Sequence, residues 1–390
     1  MNTALKFDKT SIRPPRPVST AMEREETWSR TIKLYEEGKY IESILSVIDY
    51  ANPIIRQKFG NATQTQFQIA HGSAIVNLAI ESGMLKVHTP FLKLPPEAKV
   101  PLMRRVAEIN FGVLSLPQIY IKGEELYFYY ECPIETCYPF KVYDIFREIC
   151  TNADFFDDEF VEQYGALRIT EPKVIAMEPS QKEKGWEKFQ EYLKEAVDYM
   201  QYMESKRMDG FIWDILSIEL RKIEYFMSPQ GKLRNDIEST VKELNNNNLQ
   251  FNDRVNTGRK FIAQLQAVTK DAFMQDLYIT DVFIPYKFYT RLENIKQNFG
   301  NTIERVGKEM NGSDYMSATF TMQYDMMNLF YNYDLTPDVV SFIENTMTEA
   351  SGKEWKDAAS ILYNSLQNFV SLPTGGTVAN LVQNAIKNIQ

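Results

Sequence analysis

The stretch that most constrains the fold is residues 83–150, where strand and helix signals alternate with clear punctuation between them. Leu85, Val87 and Phe91 fall on one parity, the pattern of a strand that buries one face. Pro95-Pro96-Glu97 then opens a helix expected over residues 95–110, because proline is tolerated in a first turn whose N–H groups have no partner. Leu102, Met103, Val106 and Ile109 supply its apolar stripe and Phe111-Gly112 ends it. Lys122-Gly123-Glu124 reads as the pivot of a hairpin between strands at 118–121 and 126–131. A second helix is expected over 138–150, where Val142, Ile145, Phe146, Ile149 and Cys150 keep the i, i+3, i+4, i+7, i+8 spacing.

The flanking sequence extends this pattern on both sides. Trp28, Ile32, Leu34 and Tyr35 mark a helix starting near Glu23, and Ile41, Ile44, Leu45 and Ile48 mark another after Gly38. From Gln64 the period falls to two: Phe67 and Ile69 oppose Gln66 and Gln68, then Val76, Leu78 and Ile80 oppose Asn77 and Ala79. His71-Gly72-Ser73 and Glu81-Ser82-Gly83 are the turns of the resulting meander. Past Trp186 the spacing is helical, with helices expected over 186–206, 211–227, 232–244, 253–274, 286–310, 315–333, 337–350, 353–370 and 378–389. The expected fold class is therefore α+β, one antiparallel sheet with helices on one side, followed by a mainly α-helical domain. The division is a basic, proline-rich extended or disordered tail over 1–20, the α+β domain over 21–167, a linker over 168–184 and the helical domain over 185–390. The tail reads as a solvated lead, with a docking role as the alternative.

Composition removes several classes of function. Lys and Arg number 43 against 52 acidic residues, a net charge of -9, so no general attraction to nucleic-acid phosphates is expected. There is no run of about 18 apolar residues to insert in a membrane, and no apolar leader, so a cytoplasmic location is expected. The cysteines, Cys132, Cys137 and Cys150, are an odd number in a long chain, which argues against a disulfide framework. With His71 and His88 as the only histidines, a zinc set is hard to complete.

The remaining candidates for chemistry are poor ones. No phosphate-binding, dinucleotide, nucleophile-elbow or zincin motif occurs. His71 and Ser73 lack a group to orient them, and a turn is the simpler account. Asp154, Asp157, Asp158, Glu159 and Glu162 interleave with Phe155 and Phe156 where calcium ligands would stand, so they read as the acidic start of a helix. No catalytic residue, metal or cofactor is assigned, and the chain is expected not to be an enzyme.

Residues 83–150 resemble the YbjN-like family, which has the fold of type III secretion chaperones. The resemblance is carried by the meander ending Met84-Leu85-Lys86-Val87, the helix closing on Ile109-Asn110, the hairpin from Ile119 to Phe128 and the amphipathic helix after it. Taken over the α+β domain whose order of elements it shares, the resemblance covers about a third of the chain and implies a non-enzymatic domain, often homodimeric, whose chaperone relatives hold extended client segments. The large helical extension departs from the free-standing chaperones.

Two surfaces are expected to bind partners. Tyr127 and Tyr129 point away from the core face of their strand and need a cover. Leu381 and Ile386 lie on an apolar stripe, with Val378, Val382, Ala385 and Ile389, that follows the flexible Thr374-Gly375-Gly376. The expected function is a cytoplasmic protein-binding chaperone or adaptor, homo-oligomeric, its protein partner a secretion-related client; the alternative is a structural subunit of a bacterial assembly such as a secretion apparatus.

Overall fold

The α+β part and the helical part form two compact units in the computed structural model, which describes residues 2–9, 12, 21–97 and 99–372. They are not consecutive in the chain. The α+β unit runs to Ala176 and takes back Tyr278–Tyr286, whereas the helical unit holds Met177–Leu277, the described residues from Lys287 onward, and those before position 13.

In the α+β unit, α1 (Ala21–Glu36), α2 (Tyr40–Ala51) and α3 (Ile55–Phe59) precede the meander β1 (Gln66–His71), β2 (Ala74–Glu81) and β3 (Met84–Lys93). Then come α4 (Lys99–Gly112), β4 (Gln118–Lys122), β5 (Glu125–Pro133), α5 (Pro139–Tyr164), β6 (Leu167–Arg168), β7 (Val174–Ala176) and, from the later segment, β8 (Tyr278–Thr280). The sheet is ordered β1-β2-β3-β5-β4 and is antiparallel, with β6 beside the end of β3 and β7 paired to β8. Ser82 (φ 51) and Gly83 (φ 74) take positive φ at both centres of the β2–β3 turn, the geometry that matches strand twist. Pro90 explains where the β2–β3 ladder stops. It has no N–H to give, the last β2 partner is Asn77 opposite His88, and the β3–β5 register slips between Pro90 and Leu92.

Helix α5 packs on β2, β3 and β5, and its Val142, Ile145, Phe146 and Ile149 are fully buried with Leu78, Val87, Leu126 and Phe128. It does not end at Cys150. Ala153, Phe156 and Phe160 carry the same stripe onward, and the helix closes on Gly165 in the left-handed conformation, φ 68. The acidic run thus lies inside a helix rather than at its start, which corrects the helix-N-terminus reading.

The helical unit contains α6 (Pro179–Ser205), α7 (Ile212–Met227), α8 (Gly231–Leu244), α9 (Phe251–Gln266), α10 (Lys270–Gln275), α11 (Leu292–Asn311), α12 (Tyr315–Asn332), α13 (Pro337–Ala350) and α14 (Trp355–Val370), with a short parallel pair β9 (Phe288–Tyr289) and β10 (Tyr333–Asp334). Helix α12 packs on α7, α11 and α14, and Phe320, Met322, Met326, Met327 and Phe330 are buried, as a bundle centre requires.

Several boundaries differ from the expected ones. The expected linker begins on the last residue of β6, holds β7, and ends inside α6. The helix expected over 253–274 is broken before Thr269, whose hydroxyl accepts from the Ala272 N–H at 3.3 Å and starts α10 anew. Residues 286–291 are not helical, because the chain is returning from the α+β unit.

The described part of the lead is extended but not solvated. Ala4, Leu5, Phe7 and Ile12 are buried in the helical unit, the Ala4 N–H donates to the Lys353 carbonyl (2.8 Å), and Gln323 Nε2 donates to the Leu5 carbonyl (3.0 Å). Four apolar side chains outweigh the charges around them. The prolines Pro14, Pro15 and Pro17 lie outside the described residues.

Candidate protein-binding surface

Helices cover one face of the sheet; toward β5 and β4 the other face stays accessible. The hairpin pivots on Gly123 (φ 64), which pairs Lys122 with Glu125 and therefore Tyr120 with Tyr127 and Gln118 with Tyr129. On the far side of β5, Tyr127 stands opposite Pro90 and Tyr129 opposite His88. The Tyr120 ring lies 5.8 Å from that of Tyr127 and 5.3 Å, edge-on, from that of Tyr129. Tyr120 is 39% exposed, and Tyr127 and Tyr129 are half-buried. Tyr127 and Tyr129 are thus where the sequence placed them, and Tyr120 joins them. The sequence carried that signal, since a two-residue loop at Gly123-Glu124 pins the register that opposes 120 to 127.

The phenol groups are held by acids on their own strand. The Tyr127 hydroxyl donates to Glu125 and the Tyr129 hydroxyl to Glu131. The hydrogen bond to Glu125 raises the Tyr127 phenol, while burial and then Glu131 push Tyr129 up to about 12. Burial, with Lys122 nearby, lowers His88. The face thus combines three aromatic rings and an imidazole with the carboxylates of Glu125 and Glu131, the amphipathic composition common in protein interfaces.

Strand β4 is an edge of the sheet, and apolar side chains flank it. Phe111 at the end of α4 is 93% exposed, and Val113, Leu116 and Ile121 are exposed too. Asn110 shields part of the edge backbone: its amide donates to the Ile119 carbonyl (2.8 Å) and accepts from the Ile119 N–H (2.7 Å). The expectation that Phe111-Gly112 merely ends a helix missed this rim, because one exposed phenylalanine has no periodicity to reveal it.

The other candidates turn out to be structural. Ser73 Oγ (3.0 Å), Ser73 N–H (2.6 Å) and the Tyr286 hydroxyl (2.8 Å) all donate to Asp154. His71 is fully buried and its Nδ1 accepts from the Phe283 N–H at 3.1 Å. A third group therefore exists beside Ser73, and it accepts from the serine N–H and hydroxyl and from Tyr286, contacts that anchor the turn. Arg168 pairs with Asp157 and Asp158, and Arg105 forks onto Glu159 at 2.7 and 3.1 Å. Among the described residues no cluster of acids, histidines and cysteines could hold a metal. Cys150 is fully buried as expected, whereas Cys132 and Cys137 come together, their sulfurs 3.4 Å apart. Leu381 and Ile386 lie outside the described residues.

The helical unit holds an ionic group that its apolar periodicity concealed. Lys222 on α7 is fully buried, 2.7 Å from Glu195 and 2.8 Å from Glu219, with its ammonium 4.5 Å from the Tyr192 ring centroid. Burial pushes the Glu219 carboxyl well above the usual carboxylate range, while the two acids outweigh burial at Lys222 and raise it. Arg221 beside it lies 5.0 and 5.1 Å from the Tyr324 and Tyr331 ring centroids. Lys222 thereby links Glu195 on α6 to Glu219 on its own helix α7.

No family model matches the chain, and none of the curated proteins matches it. Among the described residues no helix is long and apolar enough to cross a membrane.

Proposed function

We propose that this chain is a non-enzymatic protein-binding adaptor of the cytoplasm, related in style to the chaperone-like domains that residues 83–150 resemble. It takes a protein client, or a second copy of itself, on the open sheet face. The observation that carries the reading is the cluster of Tyr120, Tyr127 and Tyr129 on an uncovered face, next to an edge strand rimmed by Phe111 and Ile121. Packed aromatic rings, with the Tyr127 and Tyr129 hydroxyls already engaged by acids, give contact area at little entropic cost. Three free thiols fit a reducing compartment.

The test is the Tyr127→Ser/Tyr129→Ser double variant of the full chain, compared with wild type in light scattering and native affinity capture. The expected variant melts close to wild type while self-association or client recovery falls at least about tenfold, the effect of about 1.4 kcal/mol. Unchanged association would refute the reading, as would a loss of stability on the scale of a core truncation. Loss of a whole multiprotein assembly on deletion of the chain, rather than of one client, favours the structural-subunit role.

A further inference from the structure

We propose that Cys132 and Cys137 form a reversible dithiol–disulfide site, oxidised by hydrogen peroxide and re-formed by external thiols. Independently of the binding reading, the geometry rests on two rigid anchors. Cys132 is paired to Leu85 within the β3–β5 ladder, and Cys137 closes the turn over Ile134–Thr136, its N–H donating to the Ile134 carbonyl at 3.1 Å. The sulfurs meet at 3.4 Å, already in contact. A disulfide spans about 2.05 Å, so closure brings the sulfurs about 1.4 Å nearer.

The pair is buried but shallow. Cys132 is 5% and Cys137 1% exposed, while Pro133, Glu135, Thr136 and Tyr138 around them are exposed, so a small oxidant needs only a brief opening of one turn. Lys141 brings a cation, its Nζ donating to the Thr136 carbonyl at 3.2 Å and lying 5.6 Å from the Tyr130 ring centroid. The contact between the two sulfurs, with Thr136, Lys141 and Tyr130 adding to it against burial, draws the Cys132 thiol below the ordinary thiol range; the same contact pushes Cys137 up. Cys132, the more accessible of the two as well as the lowered one, is the attacking sulfur and Cys137 the resolving one. Burial raises Cys150 well above the ordinary range, which makes it an internal reference.

The chemistry balances in two steps. The Cys132 thiolate attacks one peroxide oxygen, the O–O bond breaks, and sulfenic acid and hydroxide form. Cys137 then attacks that sulfur, the S–O bond breaks, and water leaves as the S–S bond forms. The net change is two thiols and one peroxide to one disulfide and two waters. The product locks β5, which carries Tyr127 and Tyr129, to the entry of α5.

The test treats the full native chain with hydrogen peroxide, blocks remaining thiols by alkylation and maps tryptic peptides. One peptide, from Gly123 to Lys141, contains both cysteines and is separate from that of Cys150. The expected result is that this peptide loses two hydrogen atoms, resists alkylation and recovers after dithiothreitol, while Cys150 stays alkylatable once unfolded. In Cys137→Ser, Cys132 is expected to stop at a sulfenic acid trapped by dimedone. Persistence of both thiols, oxygen addition without a cross-link, or prior oxidation of Cys150 overturns the proposal.

Discussion

Replacing Gly72 with alanine tests the anchoring of the β1–β2 turn. Gly72 sits at φ 56, and a Cβ there would lie 1.8 Å from Asp154 Oδ1 and 2.2 Å from its Cγ, far inside any non-bonded contact. The left-handed backbone costs an alanine about 1–2 kcal/mol. The carboxylate must also withdraw, and it accepts from Ser73 N–H, Ser73 Oγ and the Tyr286 hydroxyl. With hydrogen bonds to a charged acceptor worth about 1.5–3 kcal/mol each, losing two of them and adding the strain gives about 4–8 kcal/mol. In an Asp154→Ala background the obstacle is gone, so Gly72→Ala should cost only the strain, about 1–2 kcal/mol. Two units in one chain make a single unfolding free energy ill-defined, so opening free energies of β1 and β2 peptides by native-state hydrogen exchange are the right readout. Equal costs of Gly72→Ala in the two backgrounds would refute the account.

Two further predictions concern buried charge. Burial, with Asp158 next and Arg168 opposing, pushes the Asp157 carboxyl up to about 6. Its folded value lies above the unfolded value of about 3.9, so the folded chain binds more protons between about pH 4 and 6; this contribution is full below the unfolded value and lost as pH rises through the folded one. Urea midpoints of wild type relative to Asp157→Asn should therefore improve on acidification from about pH 7 to 5; an unchanged difference rejects the assignment. Lys222→Met strands Glu195 and Glu219 in the α6–α7 contact and should lower the opening free energies of α6 and α7 peptides in native-state hydrogen exchange by about 3–5 kcal/mol. A loss under about 1 kcal/mol would mean the group contributes little.

How far the sequence could be read depends on the range of the forces involved. The meander, its turns, and the inward and outward parity of Leu126, Phe128, Tyr127 and Tyr129 follow from local chemistry and came out as expected. Two of the tyrosines of the candidate surface were legible for that reason, and Tyr120 could have been found from hairpin register. What stayed hidden is contact across long stretches of sequence. Nothing near Asp154 announces Ser73 and Tyr286 as its donors. The burial of Ala4, Leu5 and Phe7 depends on helices more than 190 residues away, as the bond from Tyr199 to the Thr3 carbonyl shows. The sulfur contact depends on a tight turn that four intervening residues of ordinary composition do not signal.

The return of Tyr278–Tyr286 to the α+β unit has a consequence for synthesis. Phe283 and Ile284 are fully buried in that unit's core, and β8 pairs with β7. A ribosome that has finished Ala176 has about 110 residues still to make before this piece exists, a delay of about 5–20 s at about 5–20 residues per second. Through that interval the nascent unit carries an unfilled gap beside His71 and Phe146, which Phe283 later contacts. The helical unit waits longer, since its amino-terminal stretch is made first and pairs only when Lys353 and Glu354 emerge. Completion of the α+β unit thus trails the synthesis of its first strands, and through that interval the open core is the part of the growing chain that a holdase would have to cover.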